Sequence, residues 1–291
     1  MVMKLSELYA TVRRAFLSKE DKQTASLLAR NLVCHYTGKT PEQILTDREM
    51  YIGDAECEAI GNAAERILNG EHLAYVLGEW DFYGMTLYVD KNVLIPRDDT
   101  CAVTSLAVKQ GLFLDKDPRI LDLCTGSGCI GLAVANRVKD ARVTLADISR
   151  DAIAVAKKNI VRQHLTARVS SVIADALGNP PAFLGKFDLI VSNPPYITTK
   201  EMGELDHSVK DFEPHLALHG GNDGLDFYRS IAKNYSAALK PGGYLCFEFG
   251  MGQGDDVCTI LKRNGYTILE RSRDYNGVER AVIAQFGRKE D

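Results

Sequence analysis

The chain has 291 residues, 45% hydrophobic and 25% charged, with a formal net charge of −4; this is an ordinary globular composition, sized for one large domain or a standard domain plus a smaller one. No apolar run approaches the roughly 18 residues needed to span a bilayer, and the opening MVMKLSELYATVRRAF mixes charges where a signal peptide is continuously apolar, so a cytoplasmic protein is expected. Residues 1–95 carry 10 basic and 14 acidic side chains and the remainder 25 of each, which argues against a basic nucleic-acid platform.

Residues 1–75 read as a small all-helical domain. Leu5, Leu8, Val12 and Phe16 recur at three- and four-residue steps. Thr24–Val33 repeats the pattern, Thr40 before Pro41 reads as an N-cap with proline at the first helical position, and Ala55–Leu68 is amphipathic and stopped by Asn69-Gly70. Residues 76–95 are rich in aromatic and β-branched side chains around Gly84, and predict a connecting β-hairpin.

From Pro96 onward strands alternate with helices. The spacing predicts strands at Arg119–Leu123, Ala141–Ala146, Val169–Ile173, Phe187–Ser192 and Gly243–Phe249. Helices are expected over Ile130–Arg137, Ala152–Gln163 and Asp226–Ala238, and a final antiparallel pair from Tyr266–Arg271 and Glu279–Gln285. Such alternation makes residues 96–291 an α/β domain, with a mostly parallel sheet covered on both faces. The seven cysteines form no CxxC pair, so neither a disulfide framework nor a cysteine zinc site is expected. His215 and His219 flank a short apolar stretch with no evident helix and read as loop histidines; no metal is expected.

Two stretches carry chemistry. DLCTGSGCIGLA (Asp122–Ala133) lies between a strand and a helix, where Gly126 and Gly128 allow a tight turn and close approach of a ligand to a helix N-terminus. Asp147 ends the next strand and is placed to accept ribose hydroxyls; Asp175 ends the third, where an adenine amino group would lie. The glycines fit a dinucleotide pattern, but Asp122 upstream repels pyrophosphate and favours a cationic group, hence S-adenosylmethionine over NAD. The second stretch, DLIVSNPPYI (Asp188–Ile197), is a strand broken by two prolines that cannot join a ladder. It sets a stiff Asn193-Pro194-Pro195-Tyr196 at a strand end. There the Asn193 side-chain oxygen and the Pro194 carbonyl can accept the N–H groups of a planar nitrogen, and Tyr196 can stack on it.

These motifs together resemble the class I, Rossmann-like methyltransferases that act on planar nitrogen. Over nearly the whole chain they resemble the protein glutamine-N5 methyltransferases of peptide chain release factors, the HemK/PrmC family. LIPRDDT (Leu94–Thr100), FEPHLALHGGNDGLDFYRSI (Phe212–Ile231), FEFGMGQG (Phe247–Gly254) and RDYNGVERAV (Arg273–Val282) carry the likeness beyond NPPY. Asp98 and Cys101 depart from the family's usual Pro and Glu, and Cys124 stands at a common glycine.

The resemblance implies a seven-stranded sheet, S-adenosylmethionine as cofactor, and methylation of the glutamine in the GGQ motif of class 1 release factors, with the helical domain recognising the substrate. It implies cofactor contacts from Asp122, Thr125, Gly126, Ser127, Gly128, Asp147, Asp175, Ala176 and Asn193. Asn193, Pro194 and Tyr196 are implied as catalytic, with Pro195, Phe82 and Arg97 also contacting substrate. Tyr83 beside Phe82 is a further candidate wall, and Gly220–Leu225 reads as a flexible flap. A monomer without stable nucleic-acid binding is expected, since the substrate is itself a protein. An adenine-N6 methyltransferase of DNA or RNA is the alternative, because an exocyclic ring amine is also a planar conjugated nitrogen; a catalytically silent cofactor-binding module is a second, opposed by Asn193 and Asp122.

Overall fold

The computed structural model describes residues 2–287. The chain divides into two compact units, Met1–Gly78 and Glu79–Asp291.

In the first unit a short strand β1 (Met3–Lys4) leads into helix α1 (Leu5–Phe16), followed by α2 (Lys22–Thr37) and α3 (Pro41–Thr46). Strand β2 (Tyr51–Ile52), α4 (Asp54–Leu68) and α5 (Leu73–Leu77) complete it. The caps are those the side chains dictate. Asp21 accepts from the N–H groups of Gln23 and Thr24 at the start of α2, and Thr40 forms a reciprocal capping box with Gln43 at α3. Leu5, Leu8, Val12 and Phe16 are buried along one face of α1, as their spacing requires. The unit is not purely helical: β1 pairs antiparallel with β2, a two-residue ladder too short to leave a periodic signal.

The second unit opens with the hairpin β3 (Glu79–Phe82) and β4 (Met85–Tyr88), in full register from Glu79↔Tyr88 to Phe82↔Met85. There follow α6 (Cys101–Phe113), β5 (Arg119–Leu123), α7 (Cys129–Arg137), β6 (Arg142–Asp147), α8 (Arg150–Arg162), β7 (Val169–Ile173) and β8 (Phe187–Ser192). A long connection holding α9 (His207–Lys210) leads to α10 (Asp226–Asn234), β9 (Leu239–Glu248), α11 (Gly254–Arg263), β10 (Tyr266–Arg273) and β11 (Glu279–Phe286). The seven-stranded sheet has the order β10-β11-β9-β8-β5-β6-β7. Strands β9, β8, β5, β6 and β7 run parallel, and β11 enters antiparallel between β9 and β10.

Both faces are covered, so successive strand residues enter opposite layers. Ile120 packs in one core layer with Ala102, Leu132 and Ala156, from α6, α7 and α8. Its neighbour Leu121 packs in the other with Ile231 and Leu261, from α10 and α11. The chain starts at β5, winds outward through β6 and β7, then returns to β8 on the other side of β5. That reversal opens a crevice beyond the carboxyl ends of β5 and β8, where ligands bind in such sheets. The Asp122–Gly128 loop and Asn193–Tyr196 stand at those two strand ends.

Candidate active site

The first edge of the site is the turn after β5. Gly126 and Gly128 take φ of +53° and +86°, open to glycine at little cost. Cys124 takes φ +60°, a left-handed conformation that a side chain adopts only under strain. Gly131 is needed for a different reason: a Cβ there would lie 2.3 Å from Leu145 and 3.0 Å from Asp122.

Asp122 is fully buried and acts on the turn itself. Its Oδ2 accepts from Thr125 Oγ1 at 2.6 Å and from the Gly131 N–H at 2.8 Å, while Oδ1 has no partner. Burial pushes its carboxyl up to about 7, with those two hydrogen bonds pulling the other way. This corrects the expectation of a direct cofactor contact: Asp122 does not line the cavity, and near neutrality it is only partly ionised. It braces the loop that does. Gly128 likewise stays out of the cavity and is held against Leu132 and Leu145.

The next strand end carries Asp147. Its Oδ2 accepts from the Gly126 N–H and its Oδ1 from the Ser149 N–H, each at 2.9 Å. Burial raises this carboxyl too, against the pull of those backbone donors. Lone pairs remain on both oxygens for a pair of hydroxyls. Asp175, at the end of β7, accepts from the Leu177 N–H at 2.8 Å.

These groups converge on one cavity. Thr125, Gly126, Ser127, Asp147, Asp175, Ala176, Asn193 and Pro195 all line it. So does Pro214 of the long connection, together with residues that the motif reading missed: Asn92, Val93, Leu94, Pro96 and Thr100 ahead of α6, Leu216 and Ala217 from the long connection, and Phe227 of α10. Ile148 and Leu177 also line it, and each stays nearly half exposed, at 47% and 48%. Ile148 directly follows Asp147 and Leu177 lies two residues past Asp175, so together they offer apolar walls to a flat ring. Their signal was available, since an apolar residue just past a strand-end acid has no core to enter.

The second edge is the break after β8. Asn193 donates from Nδ2 to Thr100 Oγ1 at 3.3 Å. Pro194 and Pro195 are buried. Tyr196 is half-buried against the second core layer and does not line the cavity; its carbonyl accepts from Gln253 Nε2 at 3.0 Å. Burial, with Glu248 adding to it, raises its phenol well above the ordinary tyrosine value.

The stretch that includes Gly220–Leu225 lies directly against the NPPY backbone. The Ile197 N–H donates to the Leu218 carbonyl at 2.9 Å and the Gly220 N–H to the Ile197 carbonyl at 2.8 Å. A Cβ on Gly220 would lie 2.7 Å from both the Pro195 oxygen and the Tyr196 Cα, and one on Gly224 2.2 Å from the Tyr196 oxygen. The glycines exist so that this strand of backbone can lie directly on NPPY.

Two expected substrate contacts are placed otherwise. Phe82 is 3% exposed and belongs to the core beneath the hairpin with Met85 and Leu87, not to the cavity; Tyr83 packs beside it, its hydroxyl 3.2 Å from Ser105 Oγ. Arg97 pairs with Glu213, a carboxylate 4% exposed whose Oε2 has no partner. Burial raises Glu213 and the Arg97 charge opposes that rise. The pair ties the wall carrying Pro96 and Thr100 to the wall carrying Pro214 and Leu216.

The cavity fits a nucleoside bearing a small charged tail. Gly126 leaves open space above its backbone, Ser127 presents a buried hydroxyl oxygen with no partner, and Asp147 keeps free lone pairs. Among the described residues no cluster of three or more His, Cys, Asp or Glu is arranged to hold a metal ion, and no helix is long and apolar enough to cross a membrane.

Comparison with known proteins decides the family. Residues 12–78 match the PrmC N-terminal domain and residues 103–211 the methyltransferase small domain. The chain is 37% identical over 274 residues to the release factor glutamine methyltransferase of Chlorobaculum tepidum, covering 92% of each chain. The chain belongs to the release factor glutamine methyltransferase family. The enzyme of that name from Clostridium acetobutylicum is 41% identical over 215 residues, 74% of this chain and 75% of that one. A methyltransferase structure from Pyrococcus furiosus shares the fold, at a TM-score of 0.52 and 18% identity over 78% of this chain and all of that one. The chain sets Asn193-Pro194-Pro195-Tyr196 just past the end of β8, the strand beside β5 and its glycine-rich turn.

Proposed function

We propose that this protein transfers a methyl group from S-adenosylmethionine to the side-chain amide nitrogen of the GGQ glutamine in class 1 peptide chain release factors. The observation that carries this reading is Asn193 at the end of the nucleoside-shaped cavity, held with its amide nitrogen turned inward to Thr100. Its oxygen is thereby left to face a donor, and an amide N–H is such a donor.

The cofactor would be held by Asp147 through its ribose hydroxyls, by the Thr125–Ser127 backbone around its charged tail, and by Asp175 and Ala176 beside its base, with Ile148 and Leu177 against the ring faces. When bound, it supplies an electrophilic methyl on a sulfonium.

The chain's own task is to make a poor nucleophile react. The lone pair of an amide nitrogen is delocalised into its carbonyl. Asn193 Oδ1 and the Pro194 carbonyl accept the two amide N–H groups, which fixes the nitrogen's position and stabilises positive charge as it develops there. The two prolines stiffen the segment, so these acceptors are oriented in advance. Tyr196, beyond the cavity, offers its ring to the planar amide from the other side. The proton can leave after transfer, so no strong base is required. The helical unit is assigned to recognition of the release factor. Arg97, paired to Glu213, shapes the wall of the site, and Phe82 supports it from the core.

The reading is tested with an intact release factor as methyl acceptor. Asn193→Ala is expected to cut kcat by roughly 10²-fold or more while cofactor affinity stays nearly intact. A collapse of cofactor affinity with turnover preserved at saturation would contradict the division of roles.

A further inference from the structure

Asn159, inside α8 and 0% exposed, is set back from the cavity and has no role in the mechanism above. Its side chain makes three hydrogen bonds to backbone outside its own helix. Nδ2 donates to the Ser127 carbonyl and to the Tyr88 carbonyl, each at 2.9 Å, and Oδ1 accepts from the Tyr88 N–H at 2.7 Å. Both amide protons are used. The partners admit one orientation only, because the reversed amide would set its oxygen against two carbonyls and its nitrogen against an N–H.

The two partners lead to two walls of the cavity. Ser127 belongs to the glycine-rich turn. Its carbonyl and the Gly128 N–H share one trans peptide plane and point opposite ways. Asn159 takes the carbonyl, and the Thr125 carbonyl takes the N–H at 2.8 Å, so that plane is fastened at both ends. The Ser127 hydroxyl, buried and without a partner, is thereby held at the cavity wall. Tyr88 ends β4. Asn159 exchanges both backbone bonds with it, as a neighbouring strand would, and the Lys158 ammonium lies 4.0 Å from the centre of its ring. Beyond Tyr88 the chain turns at once. The Asp90 carboxylate accepts from the Tyr88 hydroxyl and from the Asn92 N–H, each at 3.0 Å, and the Asp90 carbonyl accepts from the Val93 N–H at 3.1 Å. Asn92, Val93, Leu94 and Pro96 then line the cavity. Elsewhere α8 gives this core layer apolar side chains, Ala156 and Ile160 among them. A buried amide costs desolvation that an apolar side chain does not; what its three bonds add is a fixed spacing between turn and wall.

We propose that Asn159 is a positioning residue for S-adenosylmethionine, holding the Ser127 peptide and the wall that follows the hairpin at the spacing the cofactor enters. The inference rests on the functional reading above and deepens it. Asn159 acts on the cofactor only through the backbone it holds.

The test uses the full-length protein, with calorimetry for S-adenosylmethionine binding, hydrogen exchange for the backbone, and an intact release factor as methyl acceptor. Asn159→Leu keeps the volume and removes all three bonds. Asn159→Asp keeps the acceptor for Tyr88 and removes the donors. Each is expected to weaken cofactor binding about tenfold or more, the scale of one or two lost hydrogen bonds, and to speed amide exchange at Gly128. At saturating cofactor, kcat is expected to stay within about threefold and the KM for the release factor within about twofold, the pattern of lost ground-state binding. Ile160→Ala, next on the same helix and 6% exposed, is the control, since it removes packing and none of the three bonds. It is expected to lose stability with cofactor affinity within about twofold. Wild-type affinity in both Asn159 variants, or an equal loss of affinity in Ile160→Ala, would overturn the inference. If the wild-type protein binds no S-adenosylmethionine, the functional reading fails first and takes this one with it. If it binds the cofactor and leaves the glutamine unmethylated, the reading of the acceptor fails, and the affinities still decide the role of Asn159.

Discussion

The Gly126 N–H donates to Asp147 Oδ2 at 2.9 Å, so the glycine turn after one strand is fastened to the acid ending the next. The same carboxylate holds the Ser149 N–H through its other oxygen. Two partly buried backbone donors thus depend on one side chain that is also assigned to the ribose. Asp147→Ala is expected to weaken S-adenosylmethionine binding about 10- to 100-fold, as lost charge-assisted hydrogen bonds do. Asp147→Asn keeps one acceptor oxygen and should fall between. Calorimetric titration of the folded variants checks the order.

Gly224 sits at φ +72° with its Cα facing the Tyr196 carbonyl, where a Cβ would come within 2.2 Å. Gly224→Ala must displace the NPPY backbone, because the obstructing atom is backbone and cannot swing away. The expected result is a fall in kcat for methyl transfer larger than any change in cofactor affinity. Gly203→Ala is the control: it meets nothing within 4 Å and should be close to wild type.

Cys124 holds φ +60° in the turn before Gly126. A non-glycine residue there costs about 1–2 kcal/mol, and a β-branched one more. Cys124→Gly is expected to leave stability unchanged or raise it by up to about 1 kcal/mol, since relief of strain outweighs the added chain freedom. Cys124→Val is expected to lower it by about 1–3 kcal/mol. Urea denaturation of both variants reads the difference.

Burial pushes Asp122 up to about 7 and Glu248 up to about 8. Each carboxyl is raised above its unfolded value, so between those values the native state holds protons that the unfolded chain has released. Stability from these groups is therefore fully present below about pH 4 and falls as pH rises from there toward 8. Glu248→Gln removes one of the two. Its stability relative to wild type should rise between pH 5.5 and 8.5 in urea melts; an unchanged difference would show that Glu248 does not titrate in this window.

The strand–helix alternation was legible because each buried strand is a short apolar run ended by a turn residue. Arg119–Leu123, Val169–Ile173 and Phe187–Ser192 form over the expected residues. Helix α11 escaped notice because its apolar positions Val257, Ile260 and Leu261 fill barely two turns, and α6 because it is apolar nearly all round, which erases the periodic signal. In the site, residues at strand ends could be read because position and chemistry coincide there, as with Asp147 and Asn193. Asn159 could not, since an asparagine in an amphipathic helix looks solvated until the fold brings Tyr88 and Ser127 to it. Phe82 misled for a related reason: an aromatic in a hairpin reads the same whether it faces a ligand or the core beneath.

The central claim is that the acceptor is one amide nitrogen on a protein. It is tested most directly by incubating the protein with labelled S-adenosylmethionine and three acceptors: an intact class 1 release factor, the same factor with its GGQ glutamine changed to alanine, and duplex DNA. The account predicts label on the first alone, with mass spectrometry placing the methyl on the glutamine side chain. Label on DNA adenine, or on the factor lacking that glutamine, would contradict it.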